Sequence, residues 1–169
     1  MPEEERHAAP GHLVEFVRSL GHAESALDLG CGNGRLTVLL DAAHVVGADV
    51  SDVALERARR RGLEVVPLVP GRALPFEDGA FDLVVSTEVV EHVHDVQRFL
   101  SEARRVLRPR GRLALTTPAH WPVIRTPDPL SPHVRLFTRG SLRRLLDEMG
   151  FDVVELRRRA GTLMAVAAR

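Results

Sequence analysis

Apolar runs of four to seven residues alternate along this chain with stretches whose apolar positions recur at helical spacing. Leu13, Val17 and Leu20 form the first helical stripe. Pro10 suits the opening of a helix and Gly21 its end, so the pattern predicts a short helix over 10–20 behind a flexible arm over 1–9. Residues 25–29 read as a strand, and Gly30, Gly32 and Gly34 follow as a turn. Leu36, Leu39 and Leu40 then predict a helix reaching to about Ala43. A second strand is predicted over 44–50. Ser51 caps a helix that Gly62 ends, and 63–69 reads as a third strand. Residues 70–79 have the Pro and Gly content of a loop, and a fourth strand runs through Val84 and Val85.

Asp95 caps a helix with Phe99, Leu100, Ala103 and Leu107 on one face, stopped by Pro109 and Gly111. Residues 112–117 form a fifth strand. The span 118–137 holds five prolines, Pro118, Pro122, Pro127, Pro129 and Pro132, which argue against both helix and central strand. A loop that long inside a compact domain is usually functional or disordered. Thr138 caps the last helix, with Leu142, Leu145, Leu146 and Met149 inward and Gly150 at its end. Residues 151–156 and 162–167 complete the pattern as a hairpin. Strands alternating with helices predict a parallel sheet, and the hairpin adds antiparallel pairing.

The strand, glycine turn and helix beginning at Leu27 carry the first chemistry. Glycines there allow positive φ and let a ligand approach the backbone. In open α/β sheets ligands sit at the carboxyl ends of the strands, where this turn lies. The spacing is not the G-x-G-x-x-G/A of dinucleotide enzymes, because the last glycine would fall on Arg35 or Thr37. It reads Asp28-Leu29-Gly30-Cys31-Gly32-Asn33-Gly34, or D-x-G-x-G-x-G. Asp49 stands about 20 positions after Gly30, the spacing at which an acid can accept hydrogen bonds from ribose hydroxyls.

That run resembles motif I of the class I S-adenosylmethionine (SAM) dependent methyltransferases, and of their small, metal-independent UbiE/UbiG-like members. The similarity extends over about residues 10–168. Leu74-Pro75-Phe76-Glu77-Asp78-Gly79-Ala80-Phe81-Asp82 looks like the family's L-P-F-x-D-G-x-F-D, and Glu91-His92 like its frequent E-H pair. The resemblance implies an α/β, Rossmann-like mixed sheet of seven strands in the order 3-2-1-4-5-7-6, the last antiparallel, with helices on both faces. It implies SAM as cofactor, bound by Asp28, Gly30, Cys31, Gly32, Gly34, Asp49, Val50 and Thr87. Asp82 is expected to pin its loop. Where similar enzymes place an acid for the adenine amino group, this chain has Pro70-Gly71-Arg72-Ala73. Adenine is therefore expected against backbone groups around Ala73 and Leu74.

Methyl transfer from a sulfonium is an in-line displacement, so positioning the acceptor supplies much of the catalysis. A base is needed only where the acceptor must lose a proton. Glu88, His92, His120 and His133 are the candidates near the implied site. The sole cysteine, Cys31, lies in the glycine turn and is not placed as a cytosine-attacking nucleophile. No N/D-P-P-aromatic motif follows strand four, and strand five ends in Thr116-Thr117-Pro118 without metal-binding carboxylates. These absences favour a metal-independent enzyme for a small-molecule acceptor; the available histidines and the family resemblance make oxygen the preferred atom. The proline-rich span, with Trp121, is the expected acceptor-side lid. A SAM-binding protein without its own catalysis is the alternative, and a nicotinamide oxidoreductase a weaker one.

Composition narrows the partners. Net charge is zero, with 23 basic and 23 acidic residues, so nothing draws the chain globally to nucleic acid or a membrane surface. All the basic residues counted are arginines. A hydrophobic content of 44% suits one domain over 1–169 with its own core. One cysteine excludes an internal disulfide and, with no membrane-length apolar run, makes the cytoplasm the expected location. A monomer or homodimer is expected.

Overall fold

The computed structural model describes residues 8–119 and 134–169. Helix α1 (Gly11–Arg18) leads into β1 (Ala23–Leu29), β2 (Ala42–Asp49), α2 (Asp52–Arg60), β3 (Glu64–Pro67) and β4 (Phe81–Thr87). Then come α3 (Val96–Val106), β5 (Leu107–Pro118), α4 (Arg139–Glu148), β6 (Asp152–Arg159) and β7 (Thr162–Ala168). Among the described residues these strands form one seven-stranded sheet of order β3-β2-β1-β4-β5-β7-β6. The first five are mutually parallel, and β7 runs antiparallel to both β5 and β6. This is the topology that the sequence resemblance implied.

Side-chain alternation gives the sheet two apolar faces. Leu27, Val84, Leu113 and Leu115 face α3 and α4, meeting Leu100, Ala103, Val106, Leu142 and Leu146. Ala26, Leu83, Val85, Ala114 and Met164 face the other way, under Leu13, Phe16 and Leu20 at the α1 end of the chain. The helix caps act as the sequence predicts. The Ser51 side chain accepts from the Ala54 N–H at 3.3 Å and Asp95 from the Arg98 N–H at 3.0 Å. Thr138 forms a reciprocal capping box with Ser141. The final hairpin turns on Ala160 and Gly161, both at positive φ, the backbone of a tight two-residue turn.

Three expectations need correction. The helix predicted from Leu36 to about Ala43 is a single 3₁₀ turn over Thr37–Leu39, and β2 already begins at Ala42. Two constraints end it early: Asp28 accepts a 2.5 Å hydrogen bond from the Thr37 hydroxyl, and Leu36 and Leu40 are drawn into the α1 side of the core. The fifth strand begins at Leu107 instead of residue 112. Arg108 precedes Pro109 and so disfavours helical backbone, and the register with β4 slips between Phe81 and Leu83 to absorb the extra residues. Asp82 does not pin its own loop. It accepts from the N–H and hydroxyl of Ser25, both at 3.0 Å, and from Arg108 at 2.9 Å, tying β4 to β1.

The loop over 70–79 is held by Arg105. Its guanidinium donates to Glu102, to Asp78 at 2.7 Å, and to the carbonyls of Phe76 and Leu74 at 2.9 and 3.0 Å. Glu102 in turn accepts the Leu74 N–H at 2.7 Å. Because the clamp satisfies several backbone groups at once, Arg105→Gln is expected to lower stability by about 2 kcal/mol, the scale of hydrogen bonds to a charged group. Urea unfolding measures this; a loss below about 0.5 kcal/mol would show that solvent replaces the clamp.

Candidate functional site

β1 is flanked by β2 and β4, so the connections leaving their carboxyl ends diverge and a crevice opens there. The crevice encloses about 430 Å³. Gly30, Cys31, Gly32 and Asn33 form its floor, Thr87 one wall, and Arg35 and Leu36 another. Ala8, Ala9 and Pro10, just ahead of α1, form the remaining side. Sequence reasoning did not anticipate Asn33, Arg35 or Leu36 as lining. Their position follows from the shortness of the 3₁₀ turn.

The three glycines have different physical roles. A Cβ on Gly30 would lie 2.4 Å from the Val89 side chain, and one on Gly34 would lie 2.4 Å from Leu63. Those two glycines allow the turn to pack against the end of β4 and against the α2–β3 junction. Gly32 has φ +53 and nothing within 4 Å of the Cβ position, so it is the glycine whose open side belongs to the crevice. Its N–H donates to Asp49 at 2.8 Å, and the other Asp49 oxygen accepts the Ser51 N–H at 2.9 Å. The acid at the end of β2 is thereby fixed beside the turn, and each oxygen keeps a further lone pair for a donor. Val50 follows it, 60% exposed.

Asp28 sits one layer deeper, 2% exposed. One oxygen takes the Thr37 hydroxyl; Oδ1 has no hydrogen-bond partner among the described residues. A buried carboxylate oxygen left unpaired is costly and calls for a donor. Cys31 is buried, and burial with the charges of Asp28 and Asp49 pushes its thiol up to about 12, so it is packed and unreactive. Ala73 is exposed, but both main-chain polar groups of Leu74 are occupied by Glu102 and Arg105. Leu74 therefore has its N–H committed, and offers a ligand its side chain and the second lone pair of its carbonyl.

Beyond Thr87 the chain turns back over the ends of β4 and β5. Glu88 adopts φ +55, with its N–H directed to the Thr116 carbonyl and its carboxylate accepting the Thr116 hydroxyl at 2.8 Å. Burial raises its carboxyl above the usual range, against the Thr116 bond. His92 lies on the next 3₁₀ turn, Val90–His92, and is exposed. The structure thus brings Glu88 and His92 to the same end of the sheet as the crevice. His120, His133 and Trp121 lie outside the described residues, as does the arm over 1–7. Among the described residues no three His, Cys, Asp or Glu side chains are grouped to hold a metal ion, and no helix is long and apolar enough to cross a membrane.

The methyltransferase domain family model matches residues 27–115, the segment from within β1 to within β5. A Mycolicibacterium smegmatis protein named as a probable S-adenosylmethionine-dependent methyltransferase is 34% identical over 162 residues, covering 89% of this chain and 61% of its own. The ubiquinone biosynthesis O-methyltransferase of Mesorhizobium japonicum is 38% identical over 98 residues, 54% of this chain and 39% of its own. The chain spans 30% to 61% of the length of the first curated relatives it matches. A solved complex between the Haloferax volcanii Trm112 methyltransferase activator and a methyltransferase contains a fold that superimposes with a TM-score of 0.80. The match is 19% identical and covers 98% of this chain and 90% of that one.

Burial sets a sign for the pH response. It pushes Asp28 up from 3.8 to about 6, opposed by the Thr37 bond and assisted by the Asp49 charge. Between those values the folded protein holds a proton that the unfolded chain has released. The contribution of Asp28 to stability is therefore full below 3.8 and is lost as pH rises through about 6. Asp28→Asn should gain in melting temperature relative to wild type across that window and hold a constant difference above it. A difference independent of pH would show that Asp28 ionises as an ordinary carboxylate.

Proposed function

Because the chain belongs to the class I SAM-dependent methyltransferase family, we propose that it transfers the methyl group of SAM to a small-molecule acceptor, preferentially at oxygen and without a metal. The observation that carries this reading is the Gly32–Asp49 pairing, an open glycine beside a fixed acid at the mouth of the crevice. The residues fit the cofactor. Asp49 would accept the ribose hydroxyls, the turn from Gly30 to Gly32 would lie along the amino-acid portion, and the unpaired oxygen of Asp28 suits its ammonium group. Val50, Ala73, Leu74 and Thr87 would border the adenosine. When bound, SAM supplies a methyl group on a positively charged sulfur.

The remaining work falls to positioning. Four carboxylates at this end of the sheet, Asp28, Asp49, Glu88 and Glu91, favour a cationic ligand. The acceptor would enter from the side of the β4 and β5 ends, where His92 and Glu88 stand and from which the proline-rich span 118–137 departs. His92 is the favoured proton acceptor for a hydroxyl, with Glu88, His120 and His133 as the other candidates. The Mesorhizobium relative is named as an O-methyltransferase, which agrees with oxygen as the acceptor atom. A second reading, SAM binding with catalysis dependent on a partner protein, is favoured by one observation: the Haloferax neighbour was solved with an activator.

Calorimetry with SAM, S-adenosylhomocysteine and NAD tests the cofactor. Binding of the first two and not of NAD is expected. With cofactor bound, turnover of phenols or small hydroxy acids by the isolated chain would favour the enzyme, and its absence the partner-dependent reading. Asp49→Ala is expected to weaken SAM binding by about 1.5–3 kcal/mol, the value of a charge-assisted hydrogen bond; unchanged affinity would remove Asp49 from the ribose site. Gly32→Ala should keep the fold, with a strain of about 1–2 kcal/mol from its left-handed backbone, yet lose SAM affinity as its methyl enters the crevice. Undiminished binding would place the ligand elsewhere.

A further inference from the structure

α1 carries a histidine to which cofactor binding gives no task. His12 stands two residues after Pro10, which lines the crevice, so the chain can separate the two by no more than about 7 Å. The ring is half-buried, and its Nε2 meets the hydroxyl of Thr162 at 3.2 Å. Thr162 is buried and opens β7. A residue at the mouth of the crevice is thus tied to a strand 150 positions away along the chain.

Sheet register locates that contact. Thr87 of β4 pairs with Thr116 of β5, Thr116 with Met164 of β7, and Pro118 with Thr162. Paired residues on neighbouring strands share a face of the sheet, as do residues two apart along one strand. Met164 belongs to the α1 side of the core, with Leu13 and Phe16. Thr87, Thr116 and Thr162 therefore lie on that face. Leu36, another wall of the crevice, packs against the same side. Glu88 follows Thr87 and accepts the Thr116 hydroxyl at 2.8 Å. The crevice wall at Thr87 thus continues across the ends of β5 and β7, with Glu88 over the middle of the row and His12 at its far end.

Docking of α1 does not require the imidazole. Glu15, one turn further on, already pairs with Arg159 of the β6–β7 hairpin. Docking would also use one ring nitrogen only, and Nδ1 makes no hydrogen bond among the described residues. We infer that His12 is an acceptor-binding residue: held at Nε2 by Thr162, it takes a hydrogen bond at Nδ1 from the hydroxyl of an acceptor lying against the SAM methyl. This inference rests on the methyltransferase reading. The Thr162 oxygen can accept the Nε2–H, which leaves the Nδ1 lone pair for the incoming O–H. A hydrogen bond to that O–H fixes the direction of the remaining oxygen lone pairs, and in-line transfer depends on that direction. The acceptor is then a small hydroxyl compound seated between α1 and the ends of β4, β5 and β7. Removal of its proton stays with the candidates that follow β4.

Calorimetry of the full chain with two cofactor analogues tests this without an acceptor. S-adenosylhomocysteine lacks the methyl. Sinefungin carries an amine in its place, and so sets a hydrogen-bond donor where methyl and acceptor meet. The ratio of the two affinities reads whether a ring nitrogen reaches that point. His12→Gln keeps a nitrogen near the Nε2 position and removes Nδ1. It should weaken sinefungin about tenfold, the factor of a hydrogen bond to a charged group, and S-adenosylhomocysteine by less than about twofold. His12→Asn sets an oxygen near the Nδ1 position and should restore most of the ratio. A histidine that only docks α1 would leave the ratio unchanged in both variants and lower the melting temperature of His12→Asn alone. An unchanged ratio in His12→Gln, or an equal loss in His12→Asn, overturns the inference. Should either variant not fold, Thr162→Val, nearly isosteric and suited to a strand, releases the ring and should cut the ratio about threefold; an undiminished ratio there overturns the inference too. No binding of S-adenosylhomocysteine to wild type sinks the methyltransferase reading and this one with it. Binding with a ratio insensitive to His12 sinks this one alone.

Discussion

β1 has neighbours whose outgoing connections part, and the rest of the site depends on that divergence. The crevice at its carboxyl end exists because β2 lies on one side and β4 on the other. The chain must then cross that opening with a turn that blocks neither wall. Gly30 and Gly34 make the turn possible by removing side chains that would strike Val89 and Leu63. Gly32 leaves the crevice itself open. Asp49 locks the arrangement through the Gly32 N–H, so one hydrogen bond joins the ends of two adjacent strands to the binding surface.

Around that point the chain uses short polar ties in place of longer helices. The segment after the glycine turn is reduced to one 3₁₀ turn, fastened by Thr37 to the buried Asp28. The segment after β3 has no helix, and Arg105 with Glu102 holds it from the side of α3. The turn after β4 is fastened by Thr116 and Thr117 and by the residues just ahead of α4. In each case a charged or hydroxyl side chain from a rigid element satisfies backbone or carboxylate groups of a loop. The loops that border the site are thus positioned by the sheet, which is what chemistry by orientation requires.

Much of this was legible in the chain. Helical spacing located α1, α2, α3 and α4, and the cap residues Ser51, Asp95 and Thr138 marked their starts, because capping is a local hydrogen-bond problem. The strand order followed from the resemblance, carried by the glycine turn, the L-P-F-x-D-G-x-F-D run and the E-H pair. The truncated helix after the turn was not legible, since Leu36, Leu39 and Leu40 have helical spacing and only tertiary contacts with Asp28 and α1 interrupt it. The early start of β5 was half legible: Pro109 announces the end of a helix, but the slip against β4 is a property of pairing.

The sequence by itself determined which residues could serve. Glycines at alternate positions, an acid at the end of each of the first two strands and histidines after the fourth are properties of composition and spacing. The tertiary structure alone decided their state. Burial leaves an oxygen of Asp28 unpaired and raises its carboxyl, while nearby Asp49 is fixed by two backbone N–H groups. Adjacent residues Glu91 and His92 are sorted into a buried acid and an exposed ring by the hydroxyl of Thr117, 26 positions away along the chain. Desolvation and hydrogen bonding depend on neighbours brought from distant strands, and no local pattern encodes them.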